Sequence, residues 1–125
     1  MEINTQITNQ ITRSQMTMIC NTIRSLGLSF GLTGTRLINK VIQILVIKDL
    51  EIVILEDVYK ELSNYYPNIK PSQMRKQILY ALQHRDYYKA KENFEKIFGF
   101  EYDEDFFTNK KIIEEIANLI KLESI

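Results

Sequence analysis

Apolar residues at three- and four-residue spacing run through almost the whole chain, and the runs are closed by glycines or prolines. That pattern belongs to amphipathic helices joined by short turns. From Thr12 to Leu26 the series Met16, Ile19, Ile23 and Leu26 marks a first helix, and Gly27 stands where a left-handed cap would stop it. The connection LSFGLTG carries Gly31 and Gly34, and Thr33 or Thr35 is placed to cap a second helix through Leu37, Ile38, Val41, Ile42 and Leu45. This helix is apolar over much of its circumference and is expected at the centre. Around Leu50–Leu55 the β-branched residues suit helix and strand alike, and periodicity cannot arbitrate so short a run; the reading taken is helix. From Glu56 to Tyr65 the residues Val58, Tyr59 and Leu62 form an apolar face that must end before Pro67. Pro71 then fits the first turn of a helix, where no N–H donor is needed. Along that helix Met74, Ile78, Ala81, Leu82 and Arg85 share one side, with the Arg85 stem buried and its head in water. Lys89–Phe98 follows with Phe94, Ile97 and Phe98 inward, stopped by Gly99. After the loop FEYDED comes a last helix, Asn109–Leu122, capped by Thr108, with Ile112, Ile113, Ile116, Leu119 and Ile120 as its stripe. The expected product is an all-α domain over residues 12–125, a compact bundle of about six helices behind a flexible polar lead-in, residues 1–11.

At 125 residues, the length allows one ordinary domain, and 45% hydrophobic with 26% charged residues is a globular composition. The net charge is zero, which argues against a polyanionic partner. Resolved along the chain it is not neutral at all: residues 1–48 carry +4, 49–66 carry −4, 67–91 carry +5 and 92–125 carry −5. Blocks of alternating sign imply faces of opposite charge. The single Cys20 excludes an intramolecular disulfide, and the first fifteen residues lack the basic and apolar regions of a signal peptide, so a cytoplasmic location is expected. The most apolar stretch, Val41–Leu55, is interrupted by Gln43, Lys48, Asp49 and Glu51, which excludes a membrane span.

The helix ending near Tyr65 and the helix starting at Pro71 fit a helix-turn-helix plan. With Met74 taken as inward and about 100° turned per residue, Ser72, Lys76, Leu79 and Gln83 fall opposite the core, with Arg75 and Tyr80 on the flanks. No acid occurs on this face before Asp86. A helix entering the major groove needs such a surface: cations and amides read base-edge acceptors, an apolar group touches a thymine methyl, and an acid would meet phosphate repulsion. Ser72, Gln73, Arg75, Lys76 and Leu79 are therefore the base-facing candidates for double-stranded DNA. Lys70, Tyr80, His84, Arg85, Lys89 and Lys91 are candidates for phosphate contacts. The bland reading of the same residues is a solvated basic helix with Leu79 packed on a partner helix.

From Ile23 to Glu123 the chain resembles the C-terminal DNA-binding domain of stage zero sporulation protein A, the master sporulation response regulator of endospore-forming bacteria. The resemblance is carried by IRSLGLSFGLTGTRLINKVI, by YALQHRDYYKAKENFEKIFGF with its closing Ile97–Gly99, and by FTNKKIIEEIANLIKLE with Thr108–Asn109 and Leu122–Glu123. It implies an all-helical transcription regulator whose recognition helix is Pro71–Gln83, with Ser72 retained and two copies pairing in tandem on DNA. Where that family has Arg-Val-Glu-Arg and a further Arg three residues on, this chain has Gln73, Met74, Arg75, Lys76 and then Leu79. Losing one guanine-reading arginine and exchanging another for lysine should change base preference. Only about twenty residues precede the first matching helix, so action without a phosphorylated receiver domain is expected.

Other chemistries find little support. His84 is the only histidine and reads as a phosphate contact rather than a general base. Cys20 reads as inert core. Gly27, Gly31 and Gly34 lack nucleotide-loop spacing and are read as turn formers. Glu101, Asp103, Glu104 and Asp105 lack the glycine and final glutamate of a calcium loop, so no metal or cofactor is expected. The pairs Tyr65–Tyr66 and Tyr87–Tyr88 read as packing at helix ends rather than base-stacking platforms. Neither an enzymatic activity nor a small-molecule substrate is expected. The rival to a DNA-binding regulator is a protein-interaction module that keeps the fold and binds another regulator through its acidic faces.

Overall fold

Thr12 opens the first helix by a reciprocal cap: its hydroxyl accepts from the Gln15 N–H at 3.0 Å while Gln15 Oε1 accepts from the Thr12 N–H at 2.9 Å. The computed structural model describes residues 11–50 and 52–123; the expected lead-in lies outside them except for Ile11, which is buried. Six α-helices and no strand occur among the described residues: α1 Arg13–Ser25, α2 Thr33–Lys48, α3 Leu55–Ser63, α4 Pro71–Gln83, α5 Tyr87–Phe98 and α6 Asn109–Glu123, with a 3₁₀ turn at Glu104–Phe106. The protein is an all-α bundle. No described helix is long and apolar enough to cross a membrane.

α2 is the central helix, buried on most of its circumference through Leu37, Ile38, Val41, Ile42, Ile44 and Leu45, and it packs against α1, α3, α4 and α6. Its start differs from the expected one. Leu32 is the N-cap and offers no side-chain cap, Thr33 is already helical, and Thr35 is buried. Gly34 is helical too rather than part of a turn. A Cβ there would lie 1.9 Å from the carbonyl oxygen of Gln77 and 2.9 Å from the Ala81 Cβ, so the missing side chain lets the α2 backbone touch α4.

After α2, residues 49–50 and 52–54 are not helical. Asp49 takes a left-handed conformation (φ 47°), and regular structure resumes only at Leu55. Val53 and Leu55 lean on the core while Leu50, Ile52 and Ile54 are exposed, an alternation of period two that suits extended chain rather than a helix. α3 ends at Ser63, two residues before the expected Tyr65, and α5 begins two residues earlier than expected, capped by Asp86, whose carboxylate accepts from the Lys89 N–H at 3.1 Å. Gly27 (φ 81°) and Gly99 (φ 81°) do stop their helices in the left-handed region. Gly27 also carries a join: its carbonyl accepts from the Asp86 N–H at 2.9 Å, which ties the end of α1 to the α4–α5 junction. Phe94 packs edge-on or tilted against Phe98, Phe100, Tyr102, Phe106 and Phe107, so the acidic loop is anchored by aromatics.

Helix propensity alone makes Gly34→Ala a stabilising change of up to ~1 kcal/mol. The contact with Gln77 reverses the sign, and Gly34→Ala is expected to destabilise the fold by about 1–3 kcal/mol through overpacking, measured as a lowered urea midpoint at unchanged m-value.

Candidate nucleic-acid interface

The turn into α4 is built locally. Pro67 follows Tyr66, whose carbonyl accepts from the Ile69 N–H at 3.0 Å, and Tyr65, Tyr66 and Ile69 lean on the core. Pro71 then begins α4 with Lys70 as N-cap. The Lys70 N–H donates to Gln73 Oε1 at 2.8 Å, so the Gln73 oxygen is occupied and only its amide N–H₂ faces outward. Met74, Ile78, Ala81 and Leu82 are fully buried against α2 and α3. That fixes which side of α4 is left to solvent.

Ser72, Gln73, Arg75, Lys76 and Leu79 all lie on the exposed side, and Leu79 keeps 41% of its surface in water rather than packing on a neighbouring helix. Arg75 is held by its backbone: its carbonyl accepts from Asn109 Nδ2 at 3.1 Å, and the same amide reaches the Tyr59 hydroxyl at 3.5 Å. Asn109 thus joins the start of α6 to both α3 and α4. Burial raises the Tyr59 phenol above its ordinary pKa, so it remains a neutral hydroxyl in this contact.

Among the phosphate candidates, Lys70, Lys89 and Lys91 have exposed side chains. The Lys91 ammonium sits 5.8 Å from the Tyr87 ring. Tyr80 and His84 stack at 3.8 Å, and His84 Nδ1 lies 2.9 Å from the Tyr80 carbonyl, which leaves Nε2 outward at the end of α4. Arg85 does not belong with them. Its side chain is 7% exposed, with the guanidinium donating to the Leu82 carbonyl (2.8 Å), the Tyr102 hydroxyl (2.8 Å) and Glu104 (2.6 Å), and lying 3.7 Å from the Phe107 ring centroid. A cation held this way fastens the acidic loop to α4, and its head is not wet as the sequence suggests. Burial works against its charge, but the hydrogen bonds to Tyr102 and Glu104 outweigh it and raise its pKa.

Four cations are taken up in salt bridges among the described residues. Lys48 pairs with Glu61, Lys121 with Asp49, Lys110 with Glu114 and Arg85 with Glu104. Among the described residues Lys70, Arg75, Lys76, Lys89 and Lys91 form no salt bridge. The aromatic pairs divide: Tyr65 and Tyr66 are packed, whereas Tyr87 and Tyr88 are exposed. Cys20 is partly exposed on α1, beside Arg13 and Met16 and the preceding Ile11, not in the core. Asp103 caps the 3₁₀ turn through the Asp105 N–H at 3.0 Å, and Glu104 is taken up by Arg85 and Tyr102. Sequence reasoning missed Asn109 as the residue that positions α4, because its partners are 34 and 50 residues away. No family model, curated protein or solved structure matches the chain.

Hydrogen bonds from Tyr102 and then Arg85 hold the Glu104 carboxyl below the ordinary glutamate pKa. A lowered folded-state pKa gives stability that is complete above the ordinary range and is lost as pH falls through the lowered value. Glu104→Gln is therefore expected to destabilise the protein at pH 7, with the gap to wild type closing under acid, read from urea midpoints at pH 7 and pH 3. Arg85→Ala, which also loses its packing on Phe107, is expected to cost about 2–3 kcal/mol at pH 7.

Proposed function

We propose that the protein is a sequence-specific double-stranded DNA-binding regulator of transcription that inserts α4 into the major groove and acts in the cytoplasm by binding, not catalysis. The observation that carries this reading is the outward face of α4, where Arg75 and Lys76 stand beside the exposed Leu79, with no acid on the helix and, among the described residues, no salt bridge to either cation. An unpaired basic face with an exposed leucine at its centre suits a groove lined by phosphates and thymine methyls. Arg75, Lys76, Ser72, Leu79 and the Gln73 amide N–H₂ face the bases; Lys70, Tyr80, His84, Lys89 and Lys91 meet the backbone. The resemblance to the sporulation regulator's effector domain supports the same reading and adds pairing of two copies on DNA. Lys76 and Leu79, where that family has arginines, make the preferred operator a different one.

A second reading rests on the connection between α2 and α3. Ile52 is 76% and Ile54 55% exposed, beside the exposed acid Asp57, a surface suited to a protein partner. Ile52→Asp/Ile54→Asp separates the two: DNA affinity should be unchanged by it under the first reading.

The direct test is a salt-titrated binding measurement on random duplex DNA, wild type against Arg75→Ala/Lys76→Ala. The double change is expected to lower the salt slope by roughly two. Absence of wild-type binding at low salt would overturn DNA binding, and an unaltered slope would move the contact away from α4. Selection from a random DNA pool should then yield an operator that Lys76→Ala relaxes.

A further inference from the structure

The sequence places +4 in residues 1–48, and the face of α4 accounts for none of it. Part of that charge is gathered in one place. Thr33, Arg36 and Lys40 stand on one side of α2 and, with Asn39, line a groove closed by Tyr66 and Ile69 of the turn that leads into α4. No carboxylate lines it. Arg36 is exposed, and the one side-chain hydrogen bond it makes among the described residues is a long one to the Gly31 carbonyl at 3.5 Å. The Asn39 oxygen accepts from Gln43 Nε2 at 3.1 Å, which leaves the Asn39 amide N–H₂ as a donor. Lys40 is half-buried with no salt bridge among the described residues; burial lowers its pKa against the opposing pull of the Cys20 thiol, the condition that a bound anion would relieve. At about 280 Å³ the groove lies below the roughly 300–1,000 Å³ of a site for drug-sized ligands, yet is ample for a phosphate group.

Its position makes the anion's source specific. Ile69 on its wall precedes Lys70, the N-cap of α4 and a proposed phosphate contact. A groove whose wall leads straight into the N-cap of α4 adjoins the surface proposed to meet the DNA backbone. We infer that the groove between α2 and the turn is a second phosphate-binding surface, in which Arg36 and Lys40 grip the DNA backbone flanking the base-read segment. This rests on the DNA-binding reading and widens its footprint. Two cations that release counterions at one flank add salt-sensitive affinity without base preference.

The experiment combines a salt titration with phosphate-ethylation interference on a selected DNA site, for wild type, Arg36→Gln/Lys40→Gln, Arg36→Lys/Lys40→Arg and Arg75→Ala/Lys76→Ala, each checked for an unchanged urea midpoint. The glutamine pair is expected to lower the salt slope by roughly one to two and to lose interference at flanking phosphates only, while the charge-conserving pair keeps both. If the glutamine pair leaves slope and interference unchanged while the α4 pair alters them, the inference falls and DNA binding stands. If wild type binds no DNA, both fall. Pyrophosphate titrated against the free protein provides the remaining arm: saturable binding lost in the glutamine pair, with flanking interference absent, would assign the groove to a free anion and overturn its role on DNA.

Discussion

The contact between α2 and α4 at Gly34 is the constraint on which the other arrangements rest. With a hydrogen where every other residue carries a carbon, the α2 backbone meets the Gln77 carbonyl and the Ala81 methyl directly. This close approach determines how α4 is rolled about its axis: Met74, Ile78, Ala81 and Leu82 turn to the core, and the polar and basic residues turn outward. Asn109 adds a second restraint through the Arg75 carbonyl, and Arg85 a third at the far end of the helix. A helix fixed at its middle and at both flanks presents its side chains with little rearrangement left to make on binding.

Periodicity made most of the helices legible, because the 3.6-residue repeat marks a buried face whatever it packs against. It failed where the burial was not local. Leu50–Leu55 has helix-compatible residues, and only the tertiary structure shows Val53 and Leu55 on the core with Ile52 and Ile54 in water. Phe100, Tyr102, Phe106 and Phe107 sit among acids and read as loop, yet they surround Phe94. Gly34 reads as a turn former, because no local signal distinguishes a glycine needed for a turn from one needed for a close helix crossing.

The candidate site divides in the same way. The outward set on α4 follows from one helix and one inward residue, so Ser72, Arg75, Lys76 and Leu79 were readable from spacing alone. Arg85 was not: its partners lie 17 and 19 residues on, in a loop whose acids give no sign of direction. The groove at Arg36 and Lys40 needed the turn of one motif to meet the side of a helix about thirty residues earlier. Charge summed by segment located the basic regions, but only the fold shows which cations are paired internally.

Asp86 gives that charge pattern a finer reading. It is the one acid between residues 67 and 91, and by arithmetic it subtracts from the basic face. Its carboxylate, however, accepts from the Lys89 N–H in the first turn of α5, where the positive end of the helix dipole lies, and its own N–H is tied to Gly27. To an approaching polyanion, an acid so placed is half of a local dipole rather than a bare negative charge. The potential over this end of the molecule is therefore less interrupted than the formal count implies, and the negative charge that continues the chain through a tight corner does so with little cost to the attraction around it.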